Sequence, residues 1–139
     1  MHSAIRAFSF SALLLAVTSC TSVDAERRQM DASVTNASRL AAEVSSWRGT
    51  VSTNTDAAVV DSLKGFQHRA GEIAESLASL SPEATSGTDF TGLKQALGTI
   101  SDFDTSTYAP ASPNARNALL DQFAGLAKNL RASIPMTRG

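Results

Sequence analysis

The chain has 139 residues, a formal net charge of −1 and 42% hydrophobic residues. This length accommodates one compact domain, and the nearly balanced charge excludes the strongly basic surface with which proteins bind nucleic acids. Because Cys20 is the only cysteine, the chain has no intrachain disulfide, and its fold must be stabilised by packing alone.

The first residues have the three-part plan of a secretory signal peptide. A start with a positive charge is followed by an apolar run over 12–17, and the small residues Val23 and Ala25 suit a signal-peptidase cut. The apolar run is too short to span a bilayer. We therefore expect a secretory signal peptide over 1–25 and a helical domain over 29–139.

Two routes of processing remain open. In the first, signal peptidase cuts after Ala25, and a kexin-type protease trims the chain to residue 28 at the Arg27-Arg28 pair. In the second, Val17-Thr18-Ser19-Cys20 is a bacterial lipobox, and Cys20 is lipidated and becomes the new N-terminus. The first route predicts a secreted, extracellular or cell-wall protein. The second predicts a lipoprotein of the bacterial outer membrane, which touches the membrane only through Cys20.

Helical periodicity begins downstream of the leader. Apolar residues recur three and four positions apart and predict a first helix from Asp31 to Arg48, which Gly49 is placed to end. The longest stripe then runs from Val59 to Leu80 and predicts a second helix. Its N-cap is either Thr55 or Asp56. The stripe consists of Val59, Leu63, Phe66, Ala70, Ile73, Leu77 and Leu80.

Two further helices complete the prediction. Asp89 is a good N-cap for a short third helix that carries Phe90, Leu93, Leu97 and Ile100 on one stripe. After an irregular crossing, Ser112-Pro113 starts a fourth helix. Its predicted core stripe is Leu119, Phe123, Leu126 and Leu130, extended by Ala127 and Ile134. The fold class is therefore all-α: an up-and-down four-helix bundle without disulfides.

No arrangement of residues in the sequence predicts catalysis. His68, the only histidine beyond the leader, lies on the outer line of the second helix, where Glu72 can pair with it. A metal site needs three or four convergent ligands, and a hydrolase needs a nucleophile with its base. We therefore expect neither an enzyme nor a cofactor. Asn36-Ala37-Ser38 is an N-glycosylation acceptor in a eukaryotic host.

Several large apolar side chains are compatible with a binding site for apolar ligands. Trp47 lies near the end of the first helix, where a tryptophan usually caps the core, but bundles also enclose apolar ligands between their helices. Sequence alone leaves tight packing and a cavity both open. The residues predicted to line such a cavity are Trp47, Leu63, Phe66, Ile73, Leu77, Phe90 and Phe123.

Three segments resemble the fungal hydrophobic surface binding protein A and cell wall mannoprotein family. They are Glu26-Arg27-Arg28-Gln29, Trp47-Arg48-Gly49 and the run Leu126-Ala127-Lys128-Asn129-Leu130-Arg131-Ala132-Ser133-Ile134-Pro135. Members of that family are secreted, cysteine-poor, all-helical proteins. The resemblance implies a non-enzymatic protein that binds apolar ligands or hydrophobic surfaces. The alternative is a lipoprotein acting as an envelope interaction module.

Overall fold

The computed structural model describes the backbone over residues 2–51, 54–85 and 87–135, with side chains described from residue 23 onward. It contains no β-strand within those ranges. The segment over 102–112, which we call the crossing, precedes the last α-helix and contains a short 3-10 helix, Thr105–Thr107. The α-helices are α1 (His2–Thr50), α2 (Asp56–Ala78), α3 (Thr91–Ser101) and α4 (Pro113–Ala132). The all-α prediction is confirmed.

Each helix packs against its neighbours in sequence, and α1 closes the ring against α4. Side-chain contacts show the relative directions of α1, α2 and α4. Gln29 near the start of the packed part of α1 bonds to Ser76 near the end of α2. Asp56 and Arg116 meet near the starts of α2 and α4, so these two helices run parallel. The bundle is therefore up-and-down, as predicted.

The first helix is longer than its apolar pattern indicates. α1 extends back to His2 and forward to Thr50, so Gly49 lies inside the helix and the prediction that it ends the helix is wrong. The segment over 2–48 contains neither glycine nor proline, the two residues most unfavourable in a helix interior. Nothing in this sequence interrupts the helix before it reaches the bundle.

The predicted caps explain where α2 and α4 begin. The Thr55 hydroxyl accepts a hydrogen bond from the Ala58 N–H at 3.3 Å, which decides between the two candidate caps of α2. Ser112 likewise accepts from the Ala115 N–H at 3.3 Å, and proline follows at the first helical position. Both contacts satisfy N–H groups that have no partner within the helix.

The boundaries of α2 and α3 differ slightly from the prediction. α2 ends at Ala78 rather than Leu80, because the proline after Ser81 disfavours helical backbone there. The N-cap position of α3 is Phe90, not Asp89. The Asp89 carboxylate nevertheless accepts a hydrogen bond from the Thr91 N–H at 2.9 Å, so it supports the helix start from one residue upstream.

A single hydrophobic core joins the four helices. On α4 the buried residues are Leu120, Phe123, Ala127 and Leu130, whereas Leu119 and Leu126 are half-buried. Leu119, Leu126 and Ile134 of the predicted stripe therefore pack against the core without being fully buried. The buried residues Leu120 and Ala127 each follow one of these leucines in the chain. Leu119 and Leu126 therefore lie on the flank of the helix that faces α3.

Polar contacts begin upstream of residue 29, where the predicted domain starts. The Glu26 carboxylate accepts hydrogen bonds from the Ser81 hydroxyl at 2.5 Å and from the Ser81 N–H at 3.3 Å. The buried Ser33 hydroxyl bonds to the Gln29 carbonyl and to the Ser76 hydroxyl. The start of the packed part of α1 is thus attached to the end of α2.

Two glycines give a matched pair of stability predictions. Gly65 lies within α2, and a Cβ atom there would meet no atom within 4 Å. Gly65→Ala should therefore raise the free energy of unfolding by about 0.5–1 kcal/mol. Gly87 has a φ of +77°, so Gly87→Ala should lower that free energy by about 1 kcal/mol. Urea unfolding of both variants measures the two effects, and equal signs would contradict this assignment.

Candidate functional site

Most of the side chains predicted to line a ligand cavity belong to the core. Trp47 and Phe66 are half-buried and pack against it. The remaining five are buried, with at most 6% of their surface exposed: Leu63, Ile73, Leu77, Phe90 and Phe123. These residues are brought together in one hydrophobic cluster contributed by several helices.

Four aromatic rings of this cluster touch one another. Phe123 contacts the ring of Trp47 with centroids 6.5 Å apart, that of Phe66 at 6.2 Å and that of Phe103 at 5.2 Å. Trp47 and Phe66 meet edge to face at 5.3 Å. The buried indole N–H of Trp47 has no hydrogen-bond partner among the described residues. Ring packing rather than hydrogen bonding therefore holds this side chain.

A surface groove of about 730 Å³ lies between α3, the crossing and α4. We call it the α3–α4 groove. Phe103, Leu119 and Leu126 contribute half-buried apolar surface to it. Its polar and small lining residues are Gln95, Gly98, Thr99, Asp102, Asp104, Thr107 and Gln122.

Local sequence explains how each wall of the groove forms. Leu119 and Leu126 are seven residues apart on α4, which places them on one face of the helix two turns apart. On α3, Gly98 faces open space and contributes no side chain that would fill the groove. The groove therefore has an apolar wall opposite a helix that leaves room for a ligand.

The end of the groove is held by hydrogen bonds from α2. The Gln67 side-chain amide donates to the carbonyl oxygens of Ile100 at 3.1 Å and Phe103 at 2.5 Å. The Ser101 carbonyl lies 3.2 Å from the same nitrogen, so the two N–H groups of this amide are shared among three acceptors. The Ile100 carbonyl also accepts a hydrogen bond from the Phe103 N–H, so Gln67 adds to the contacts at the end of α3 and holds the backbone at Phe103.

Asp104 shapes the crossing at the same end. Its carboxylate accepts hydrogen bonds from the Ser106 hydroxyl at 2.6 Å and from the Ser106 N–H at 3.0 Å. These bonds favour the charged form and lower the pKa of Asp104 below its ordinary value of 3.8. The backbone N–H and hydroxyl of Thr91 lower the pKa of Asp89 in the same way.

These two carboxylates predict a specific pH dependence of stability. Because their folded-state pKa values are depressed, the stability that they contribute is present above pH 3.8 and is lost as pH falls through the folded-state values. Urea unfolding from about pH 5 to about pH 2 should show this loss. In the double variant Asp89→Asn/Asp104→Asn the loss should be smaller. A pH profile identical to that of the unmodified chain would contradict the role of these two groups.

The other residues singled out in the sequence lie apart from the α3–α4 groove. His68 is 77% exposed on α2, with its Nε2 atom 2.5 Å from a Glu72 carboxylate oxygen. Asn36 is exposed on α1 and borders a groove of about 360 Å³ between α1 and α2, where Ile73 also lies. Cys20 falls outside the residues whose side chains are described.

Two properties of the described residues bear on the kind of site. No three His, Cys, Asp or Glu side chains lie together in a way that would hold a metal ion in this part of the chain. Over the same residues, none of the helices has a stretch both long enough and apolar enough to cross a membrane.

The sequence contained one signal for the α3–α4 groove, a second apolar line on α4, but the apolar pattern alone does not distinguish this line from the core. α4 carries two adjacent apolar lines, and a core needs only one of them when the helix is exposed on its other side. The line of Leu119 and Leu126 is the additional one. This second line borders a groove only because α3 is short and has a glycine, Gly98, at the position that faces it.

Comparisons with known proteins add no relative to this picture. A scan against protein-family models, a search of curated proteins and a search of solved structures each returned no match.

Proposed function

We propose that this protein is a secreted, non-enzymatic helical protein that binds apolar ligands or hydrophobic surfaces in the extracellular space or the cell wall. The α3–α4 groove carries the proposal, because its apolar wall is accessible from solvent. Its volume of about 730 Å³ falls within the range of about 300–1,000 Å³ that is usual for small-molecule sites. The signal-peptide pattern and the family resemblance of the sequence support secretion and an apolar ligand.

The groove is a better binding surface than the aromatic cluster. The rings of Trp47, Phe66 and Phe123 already contact one another, so a ligand would have to separate them. Leu119 and Leu126, by contrast, keep part of their surface exposed to water. Covering that surface with an alkyl chain gains about 25 cal/mol for each Å² buried.

Titration with Nile red, a neutral apolar dye, tests the proposal. The full chain should bind the dye saturably, and the double variant Leu119→Gln/Leu126→Gln should bind it about tenfold more weakly, since it loses the apolar wall. Val60→Gln is the matched control: Val60 is also a half-buried apolar residue, but it lies on α2 outside the groove. Its dye affinity should stay unchanged.

A second measurement follows adsorption to hydrophobic beads. The unmodified chain should adsorb, and the double leucine variant should adsorb less than the valine control. Circular dichroism establishes that each variant remains helical. If the unmodified chain showed no saturable dye binding and no adsorption, the proposal would be overturned. Equal binding by all three proteins would also overturn it.

The lipobox-like segment supports a second candidate, a bacterial lipoprotein that acts as an envelope interaction module. Mass spectrometry of the mature N-terminus distinguishes the two. A diacylglyceryl group on Cys20 would support the lipoprotein, whereas a mature chain beginning at Glu26 or Gln29 would support the secreted protein.

A further inference from the structure

The α3–α4 groove has a pronounced charge asymmetry. Two of its lining residues, Asp102 and Asp104, carry negative charge, and the described residues that line it include no lysine, arginine or histidine. Both carboxylates are exposed and lie on either side of Phe103 in the sequence. The remaining polar lining groups are neutral amides and hydroxyls. The groove therefore joins apolar surface to an acidic end.

The backbone adds to this negative potential. Asp102 occupies the C-cap position of α3, and the C-terminus of a helix carries a partial negative charge. Asp104 is the N-cap of the 3-10 helix, so it is held at the same end of the groove. Its hydrogen bonds from Ser106 favour the ionised form and lower its pKa.

We propose that the α3–α4 groove selects amphiphiles that combine an alkyl chain with a cationic head group, such as long-chain primary amines, over fatty-acid anions of the same length. This inference rests on the proposed function, since the alkyl chain occupies the apolar wall. The ammonium group then lies near Asp102 and Asp104. An ammonium ion is attracted by the two carboxylates, whereas a fatty-acid carboxylate is repelled by them.

The size of the preference follows from the exposure of the carboxylates. Solvent-exposed charge pairs interact weakly, so each carboxylate should change affinity only a few-fold. Attraction of the amine and repulsion of the fatty acid combine, and together they should separate the two ligands by about tenfold at low salt. A neutral alcohol of the same chain length should bind with intermediate affinity.

Displacement of Nile red from the full chain at neutral pH tests this order. Dodecylamine should displace the dye at about tenfold lower concentration than dodecanoate, with dodecanol between them, each used below the concentration at which it forms micelles or separates from solution. Raising the salt from about 0.01 M to about 0.15 M shortens the screening length from about 30 Å to about 8 Å. The amine preference should shrink accordingly, while dodecanol affinity should remain unchanged.

The variant Asp102→Asn/Asp104→Asn isolates the two carboxylates. Asparagine retains the side-chain oxygen that accepts the Ser106 hydrogen bonds, so the crossing should keep its conformation. This variant should bind amine and fatty acid with nearly equal affinity. The control Asp61→Asn/Glu83→Gln removes the same formal charge at exposed positions outside the groove, and it should keep the preference.

The outcomes separate this inference from the proposed function. Dye binding without any preference between amine and fatty acid, or a preference for the fatty acid, overturns the inference and leaves apolar binding intact. An amine preference that both charge variants lose equally also overturns it, because net charge would then be responsible. Absence of dye binding and of adsorption by the unmodified chain overturns both.

Discussion

Replacing Phe123 with alanine is expected to lower the free energy of unfolding by about 3–5 kcal/mol, the usual cost of removing a large aromatic side chain from a core. Phe123 is only 1% exposed, and its ring contacts three other aromatic rings. Its removal would leave a cavity among side chains that belong to α1, α2 and the crossing. Small domains are stable by about 5–15 kcal/mol, so this single change removes a large fraction of the total.

Urea unfolding followed by the fluorescence of Trp47 measures this effect, since Trp47 is the only tryptophan and contacts the Phe123 ring. Gln122→Ala is the control, because Gln122 precedes Phe123 in α4 and is exposed. It should change stability by no more than about 0.5 kcal/mol. A cost below about 1 kcal/mol for Phe123→Ala would contradict the close packing of the rings.

Replacing Arg116 with alanine should cost about 2 kcal/mol, because charged groups form the stronger hydrogen bonds in proteins. The guanidinium contacts both Asp56 carboxylate oxygens, at 3.0 and 2.9 Å, and donates to the Tyr108 carbonyl at 3.1 Å. It also donates to the Ala109 carbonyl and lies 5.4 Å from the centre of the Tyr108 ring. One side chain therefore joins the starts of α2 and α4 to the crossing.

Thermal unfolding and amide hydrogen exchange test this role. Arg116→Ala should increase exchange over 102–112, since the crossing loses its contact with α4. Arg116→Lys is the matched variant: it keeps the charge near Asp56 but loses the planar fork, so we expect about half the cost. Equal stability of the alanine and lysine variants would mean that the charge beside Asp56 contributes nothing, and a lysine variant as stable as the unmodified chain would mean that the carbonyl contacts contribute nothing.

The positions of the helices were the part of the fold that the sequence predicted best. The Val59–Leu80 stripe predicted α2 to within three residues at either end, and Thr55 and Ser112 act as the caps that their side chains suit. These features depend on neighbours within one or two helical turns, so the local sequence contains the information. The extent of α1 was missed, because an apolar pattern marks the packed part of a helix and not its full length.

The candidate site was much harder to predict from the sequence. Leu119 and Leu126 were predicted as core because their spacing from Phe123 is compatible with one helical stripe. Whether they are buried depends on how α4 is rotated against α3, and the burial of Leu120 and Ala127 shows that rotation. Because α3 is short and Gly98 has no side chain, these leucines border an open groove.

Sequence by itself determined that this protein is an all-α bundle without disulfides, since helical periodicity, caps and cysteine count are local or compositional properties. Only the tertiary structure decided which apolar side chains contact one another and which remain at the surface. It filled the space between Trp47, Phe66 and Phe123 with touching rings, and it placed two carboxylates beside an apolar groove. Those outcomes depend on the rotation and length of helices far apart in the chain, which no local pattern specifies.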